Sequence, residues 1–211
     1  MFDGATFLVD GSWFPEGTPY FCASAVRVLN NGDESVWCWC GEGRGRWPVD
    51  MQSPSQATEL LAVLAALRAT TELGMSTGKR TLIYSDMEEM WDWVRRQKFK
   101  TDLLGEVVHW EETIILRAIA RQLVAMCKDD YEVYFVHKNL NLQWTHDEHW
   151  PPQVHNRTLR DQGLCIQENM PDLTSIRMPE VPIGWNDVEF IEMNTCKPPT
   201  LLVRARKQNG L

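Results

Sequence analysis

Residues 56–73 carry the sequence QATELLAVLAALRATTEL, and this stretch predicts the central helix of the fold. Its leucines recur at the spacing of one face of an α-helix: Leu60, Leu61, Leu64 and Leu67. Pro54 and Ser55 are typical of a helix start, and Gly74 is typical of a helix end. The sequence therefore predicts a helix that buries one apolar face against another layer of the protein.

Three β-rich segments precede this helix. They cover residues 5–14 (ATFLVDGSWF), 20–29 (YFCASAVRVL) and 35–43 (SVWCWCGEG). Short connections with turn-forming residues join them, which favours an antiparallel meander. The first segment is expected to deliver Asp10 to the end of its strand.

The segments after the central helix alternate between strands and helices. Residues 81–86 (TLIYSD) and 131–139 (YEVYFVHKN) are typical of strands, and residues 87–94 and 110–126 are typical of amphipathic helices. The order β-β-β-α-β-α-α-β predicts an α/β protein. Its five-stranded mixed sheet, with three antiparallel strands first and helix-linked strands after them, would be flanked by helices.

The periodic pattern weakens in the last quarter of the chain. Residues 166–211 contain five prolines and little alternation, whereas the preceding elements are strongly patterned. We therefore expect one domain over residues 1–165 and an irregular C-terminal tail over residues 166–211.

Composition limits the classes of function. The net charge of −8 argues against a protein that holds nucleic acid by bulk charge alone, although a local basic patch remains compatible with it. No apolar run is long enough to cross a membrane, and the N-terminal residues do not resemble a signal peptide. The six cysteines form no CxxC pair, so we expect free, buried thiols in a reducing intracellular compartment, cytoplasmic or nuclear.

Four acidic residues stand out by their positions in the predicted elements. Asp10 and Asp86 end strands, Glu59 lies in the first turn of the central helix, and Asp161 follows the last strand across a loop. Acids that end neighbouring strands point into one crevice. Such a set of carboxylates suits two Mg²⁺ ions, or Mn²⁺ in their place, because both ions prefer oxygen ligands. Two such ions support phosphodiester hydrolysis.

Each acid also has a simpler structural interpretation. Asp10-Gly11-Ser12 is compatible with a strand-ending turn, and Glu59 with a favourable place in the field of the helix dipole. Asp86 is well placed to cap the next helix, and Asp161 to be solvated. The order of the four acids along the elements favours the metal site over these separate explanations.

These residues resemble motifs of the ribonuclease H family, and of its retroviral and retroelement branch in particular. LVDGSW (8–13) resembles the family's first-strand aspartate motif. SPSQATELLAVLAALRA (53–69) is similar to the segment that bears the catalytic glutamate, and LIYSDMEEMWDWV (82–94) to the strand-aspartate-helix motif. Residues 156–162 (NRTLRDQ) resemble the closing motif, with one additional residue before Asp161. The resemblance covers roughly residues 5–165.

The resemblance implies an enzyme that hydrolyses the RNA strand of an RNA–DNA hybrid. Asp10, Glu59, Asp86 and Asp161 would be its catalytic metal ligands. The family also carries a loop histidine before the last aspartate; His146 is our choice and His149 the second. A zinc site formed by His146, His149 and His155 is disfavoured, because the spacing matches no standard site.

A hybrid duplex is recognised by its shape and by its 2′-hydroxyls. Candidates for substrate contacts are polar residues near the acids and a basic segment after the second helix: Ser12, Gln56, Asn156, Arg95, Arg96, Lys98 and Lys100. The basic segment is equally compatible with a solvated helix end.

Two rival functions remain open. One is a DNA-directed nuclease or strand transferase on the same fold, and the other is an inactive nucleic-acid-binding or structural module. The resemblance further implies a reverse transcriptase as a neighbour in a polyprotein, and a virion location if the chain is retroviral.

Overall fold

The computed structural model describes residues 4–14, 20–28, 34–42, 54–72, 78–85, 87, 110–137, 166–167, 182–193 and 200–207. Within these ranges the chain forms two α-helices, α1 (Pro54–Glu72) and α2 (Trp110–Lys128). The strands are β1 (Ala5–Phe14), β2 (Tyr20–Val28), β3 (Glu34–Glu42), β4 (Arg80–Ser85), β5 (Glu132–His137), β6 (Ile166–Gln167), β7 (Val188–Met193) and β8 (Thr200–Ala205). Each predicted strand and both predicted helices in the described ranges are present, with ends shifted by a few residues.

The strands form one mixed sheet in the order β6-β3-β2-β1-β4-β5-β8-β7. The meander β1-β2-β3 is antiparallel, and β4 and β5 then run parallel to β1. The predicted α/β class is confirmed, because β3, β2, β1, β4 and β5 form the predicted five-stranded mixed sheet, with α1 and α2 packed against it. The sheet is larger than predicted, since β6 extends it beyond β3 and the β7–β8 hairpin extends it beyond β5.

The prediction of an irregular C-terminal tail is wrong for the part of that tail that the structure describes. β8 pairs antiparallel with β5, and Val133 faces Val203 in that register. Trp185, in a short 3-10 turn before β7, is 1% exposed. Val188 and Val203 belong to the same hydrophobic core as α1. The hairpin therefore shares the core and the sheet with the elements before residue 165.

One face of the sheet packs against α1 and α2. Alternate residues of the strands, such as Phe7 and Val9 of β1 and Ile83 of β4, point into that core. α1 is apolar on nearly all sides because it lies between the sheet and α2, where Gln122 Nε2 donates a hydrogen bond of 3.0 Å to Thr71 Oγ1. No helix in the described part of the chain is long and apolar enough to cross a membrane.

Cys127, near the end of α2, agrees with the expectation of free, buried thiols. Its side chain is 3% exposed and forms no disulfide. Burial raises the pKa of the thiol to about 12. The thiol is therefore protonated and unreactive at neutral pH.

Candidate active site at the crossing of β1 and α1

Asp10 lies inside β1, as the sixth of its ten residues, and not at its end as predicted. The interpretation of Asp10-Gly11-Ser12 as a strand-ending turn is wrong, because β1 continues to Phe14 and pairs Asp10 with Ser24 of β2. On the other side, the pairing of β1 with β4 extends from Ala5 to Leu8. Asp10 therefore lies two residues beyond Leu8, the last residue of β1 that is paired with β4 in the described part of the chain.

Gly11, the residue after Asp10, allows the backbone of α1 to lie close to the backbone of β1. A Cβ atom built on Gly11 would overlap the backbone of Thr58 and Glu59, with Thr58 O at 2.6 Å. A real Cβ atom does not come so close to backbone atoms, so only glycine fits at this crossing. The crossing places Asp10, the residue before Gly11, close in space to the backbone of Glu59.

Glu59 lies in the second turn of α1, and not in the first turn as predicted. The first turn contains no acidic residue, so a favourable interaction with the helix dipole does not explain this glutamate. Its neighbours Thr58 and Leu60 are both fully buried, and its own Oε2 atom is inaccessible to solvent. Glu59 is thus a charged residue at the edge of an otherwise apolar segment of α1.

The start of α1 is held by a local hydrogen bond. Thr58 Oγ1 donates to the backbone oxygen of Ser55 at 2.7 Å, within one turn of the helix. This bond satisfies the buried hydroxyl of Thr58 beside the crossing with Gly11. The backbone that carries Glu59 is therefore fixed from two sides.

Two acidic residues, Asp10 and Glu59, lie next to the backbone crossing of β1 and α1. Asp10 is 5% exposed, and Glu59 is only partly exposed. Burial disfavours the charged form of a carboxylate, and a cation beside it offsets that cost. Carboxylate oxygens are the ligands that Mg²⁺ and Mn²⁺ prefer, so the donor set fits the predicted metals.

The described residues contain two of the four predicted metal ligands, Asp10 and Glu59. Within those ranges, no three His, Cys, Asp or Glu side chains form a metal-binding group. Asp86, Asp161 and His146 lie outside the described residues.

The end of β4 is nevertheless described on both sides of Asp86. Ser85 is 3% exposed, and its Oγ accepts a hydrogen bond of 3.1 Å from the backbone N–H of Met87. β4 and β1 are parallel, with Tyr84 beside Leu8. The last described residue of β4 therefore lies close to the level of Asp10 in the sheet.

The predicted substrate-binding residues divide into two groups. Gln56 is half-buried in the first turn of α1, and Ser12 is 1% exposed, so the hydroxyl of Ser12 lies inside the protein. The remaining candidates lie outside the described residues: Arg95, Arg96, Lys98, Lys100 and Asn156.

Sequence reasoning missed two residues that shape this site. Gly11 was considered only as part of a turn, although a glycine inside a strand pattern is also a signal of close backbone approach. Ser85 was noted only as part of a family motif. Ser85 lies at the end of β4, and its hydroxyl accepts a hydrogen bond from the backbone N–H of Met87. No local sequence pattern indicates this hydrogen bond.

Three solved structures are similar to this chain. A foamy viral protease-reverse transcriptase, in complex with double-stranded DNA, is 16% identical over 70% of this chain and 88% of its own, with a TM-score of 0.48. LC9-RNase H1, a type 1 RNase H with the type 2 active-site motif, is 12% identical over 87% and 96%, with a TM-score of 0.46. The NurA nuclease from Sulfolobus solfataricus is 11% identical over 98% and 69%, with a TM-score of 0.42.

No protein-family model and no curated protein sequence matches the chain. At 11–16% identity, the similarity to the three structures concerns the fold, and what each of them acts on is a property of that protein. The order and direction of the strands define the class: this chain is an α/β protein with a mixed sheet, antiparallel in β1-β2-β3 and parallel in β1-β4-β5.

Proposed function

We propose that the protein is a metal-dependent nuclease that hydrolyses the RNA strand of RNA–DNA hybrids. The observation that carries the proposal is the crossing at Gly11, which brings buried Asp10 and the Glu59 backbone together at the end of the β1–β4 pairing. Asp86 follows Ser85 directly in the chain, and Asp161 is the fourth acid of the motif set. We infer that these four carboxylates hold two Mg²⁺ ions, for which Mn²⁺ can substitute.

The chain's own residues would act by position and charge. Asp10 and Glu59 are held on rigid elements, a central strand and a buried helix, so their carboxylates need little reorganisation during the reaction. Bound Mg²⁺ would supply activation of the attacking water and stabilisation of the departing 3′ oxygen. His146 is proposed to assist proton movement or product release, with His149 as the alternative.

The proposed substrate follows from the sequence motifs and from the need to distinguish RNA from DNA by 2′-hydroxyls. Gln56 and Asn156 are proposed to contact the sugars near the site. The more distant segment with Arg95, Arg96, Lys98 and Lys100 is proposed to bind the DNA strand. Ser12 is a weaker candidate because its hydroxyl is buried. A reverse transcriptase in the same polyprotein is the proposed partner.

The test is cleavage of a hybrid with separately labelled RNA and DNA strands, with Mg²⁺ and with a chelator. Wild-type protein should cut only the RNA strand and only with the metal present. Glu59→Gln keeps the size of the side chain but removes its charge, so the rate should fall about 100-fold or more. Glu72→Gln is the matched control, because Glu72 lies at the exposed end of the same helix and pairs only with Arg68 among the described ion pairs.

Each outcome of this assay separates the candidate functions. RNA-strand cutting that is lost in Glu59→Gln and retained in Glu72→Gln supports the proposal. Cutting of the DNA strand would favour a DNA-directed nuclease on the same fold. Tight hybrid binding without cutting, unchanged in Glu59→Gln, would favour an inactive binding module.

A further inference from the structure

Ser85 accepts a hydrogen bond from the backbone of the residue two positions later, so the bond spans one intervening residue. Its Oγ accepts from the backbone N–H of Met87 at 3.1 Å. The residue between these two positions is Asp86, a proposed metal ligand that itself lies outside the described residues. A serine hydroxyl that accepts from the amide two residues later restricts the backbone between them.

Both partners of this hydrogen bond are held by other parts of the fold. Ser85 is the last residue of β4 and pairs with His137 in the parallel register of β4 with β5. Met87 is 5% exposed and belongs to the hydrophobic core. The hydrogen bond therefore joins a fixed strand end to a fixed core side chain.

The register of the sheet relates this turn to Asp10. β1 and β4 are parallel, and Leu8 is paired with Tyr84. Asp10 follows Leu8 by two residues, and Asp86 follows Tyr84 by two residues. Ser85 is thus the last described residue before Asp86, the residue that follows Tyr84 by the same two positions as Asp10 follows Leu8.

We propose that Ser85 is a positioning residue for the metal site, which acts by fixing the backbone that carries the Asp86 carboxylate. This inference rests on the proposed function, because it requires Asp86 to bind the metal. A backbone that is restricted before the metal binds loses less conformational freedom on binding, so the Ser85 hydroxyl should raise the metal affinity. Without the hydroxyl, the Met87 amide loses this acceptor.

A purely structural role predicts a different result, and Thr81 supplies the comparison. Thr81 lies on the same strand, is fully buried, and donates from Oγ1 to Thr70 Oγ1 at 3.4 Å. It lies at the opposite end of β4 from Asp86. Thr81→Val and Ser85→Ala both remove one buried hydroxyl from β4, so they should share the structural cost but not the effect on the metal.

The experiment measures Mg²⁺ binding by calorimetry with the full chain and no nucleic acid, together with thermal unfolding. Ser85→Ala should weaken Mg²⁺ binding about tenfold or more, which is the usual effect of removing a group that orients a ligand. Ser85→Thr keeps the hydroxyl and should bind Mg²⁺ like the wild type. Thr81→Val should lower the melting temperature and leave Mg²⁺ binding unchanged.

Ser85→Cys provides a second variant in case Ser85→Ala does not fold. Sulfur is a weak acceptor of similar position, so this variant should fold and still bind Mg²⁺ more weakly than the wild type. Wild-type affinity in Ser85→Ala or in a folded Ser85→Cys would overturn the inference and leave the nuclease proposal standing. A wild-type protein that neither binds Mg²⁺ nor cuts the hybrid would overturn both.

Discussion

At the scale of single residues, the candidate site depends on Gly11, because glycine has no side chain to separate β1 from α1. Gly11 allows the backbone of β1 to touch the backbone of α1 at Thr58 and Glu59. A side chain at this position would overlap that backbone, so α1 or β1 would have to shift beside Asp10 and Glu59. The same glycine therefore serves packing and the proposed chemistry, and these two contributions can be separated by experiment.

Gly11→Ala should destabilise the protein by about 1–3 kcal/mol, because the new methyl group overlaps backbone that cannot rotate away. It should also weaken Mg²⁺ binding, since the α1 backbone must shift at Glu59. Urea denaturation measures the first effect and calorimetry with Mg²⁺ the second.

Gly184→Ala is the control for Gly11→Ala. Gly184 has a φ of 92°, a left-handed conformation that disfavours alanine, and it packs near Val124 and Lys128 at the far end of α2. This substitution should cost stability without changing Mg²⁺ binding. If Gly11→Ala also left Mg²⁺ binding unchanged, the crossing would have only a packing role.

At the scale of secondary-structure elements, α2 contains a buried positive charge. Arg117 is 4% exposed, and within the described part of the chain its Nε and Nη1 atoms have no hydrogen-bond partner. Burial lowers the pKa of the guanidinium, and the charge of Arg121, one turn further along the helix, lowers it further. Arginine remains protonated at neutral pH, so α2 carries a positive charge in its buried face.

Arg117→Met should therefore stabilise the protein, by about 1–4 kcal/mol if methionine fills the same space. The measurement is the urea midpoint at neutral pH with unchanged denaturant slope. Arg121→Met is the control, because Arg121 is exposed and its loss should change stability by less than about 0.5 kcal/mol. A marked loss of stability in Arg117→Met would show that the guanidinium is compensated by an anion.

At the scale of the whole molecule, hydrophobic periodicity was sufficient to predict most of the central sheet. The alternation in residues 5–14 and 35–43 and the helical spacing of Leu60, Leu64 and Leu67 all correspond to observed elements. These patterns are local, because each records which face of one element is buried. The order of the elements then determined the antiparallel and parallel halves of the sheet.

The errors in the prediction concern long-range contacts. VEFIEM (188–193) and TLLVRA (200–205) are strands, but their pattern is short and prolines lie between them. They are stabilised by pairing with β5 and by burial of Trp185, which no local pattern records. The approach of the α1 backbone to Gly11 was likewise not predicted, because it depends on how two elements cross.

Because the β7–β8 hairpin shares the sheet and the core, its loss should unfold the whole protein and not a separate tail. Trp185 is 1% exposed and packs edge-to-face on Phe190, with ring centroids 5.4 Å apart. Trp185→Ala should lower the free energy of unfolding by about 3–5 kcal/mol. It should also reduce hydrogen-exchange protection in β5, the strand beside the hairpin.

Ile183, two residues before Trp185, is the matched control for this substitution. It is 92% exposed, so Ile183→Ala should change stability by less than about 0.5 kcal/mol. Circular dichroism during urea unfolding should show one cooperative transition in wild type and in both variants, shifted only in Trp185→Ala. An unchanged urea midpoint and unchanged hydrogen-exchange protection of β5 in Trp185→Ala would contradict this prediction. The hairpin would then be an independent appendage, because removal of its main buried side chain would not affect the stability of the sheet.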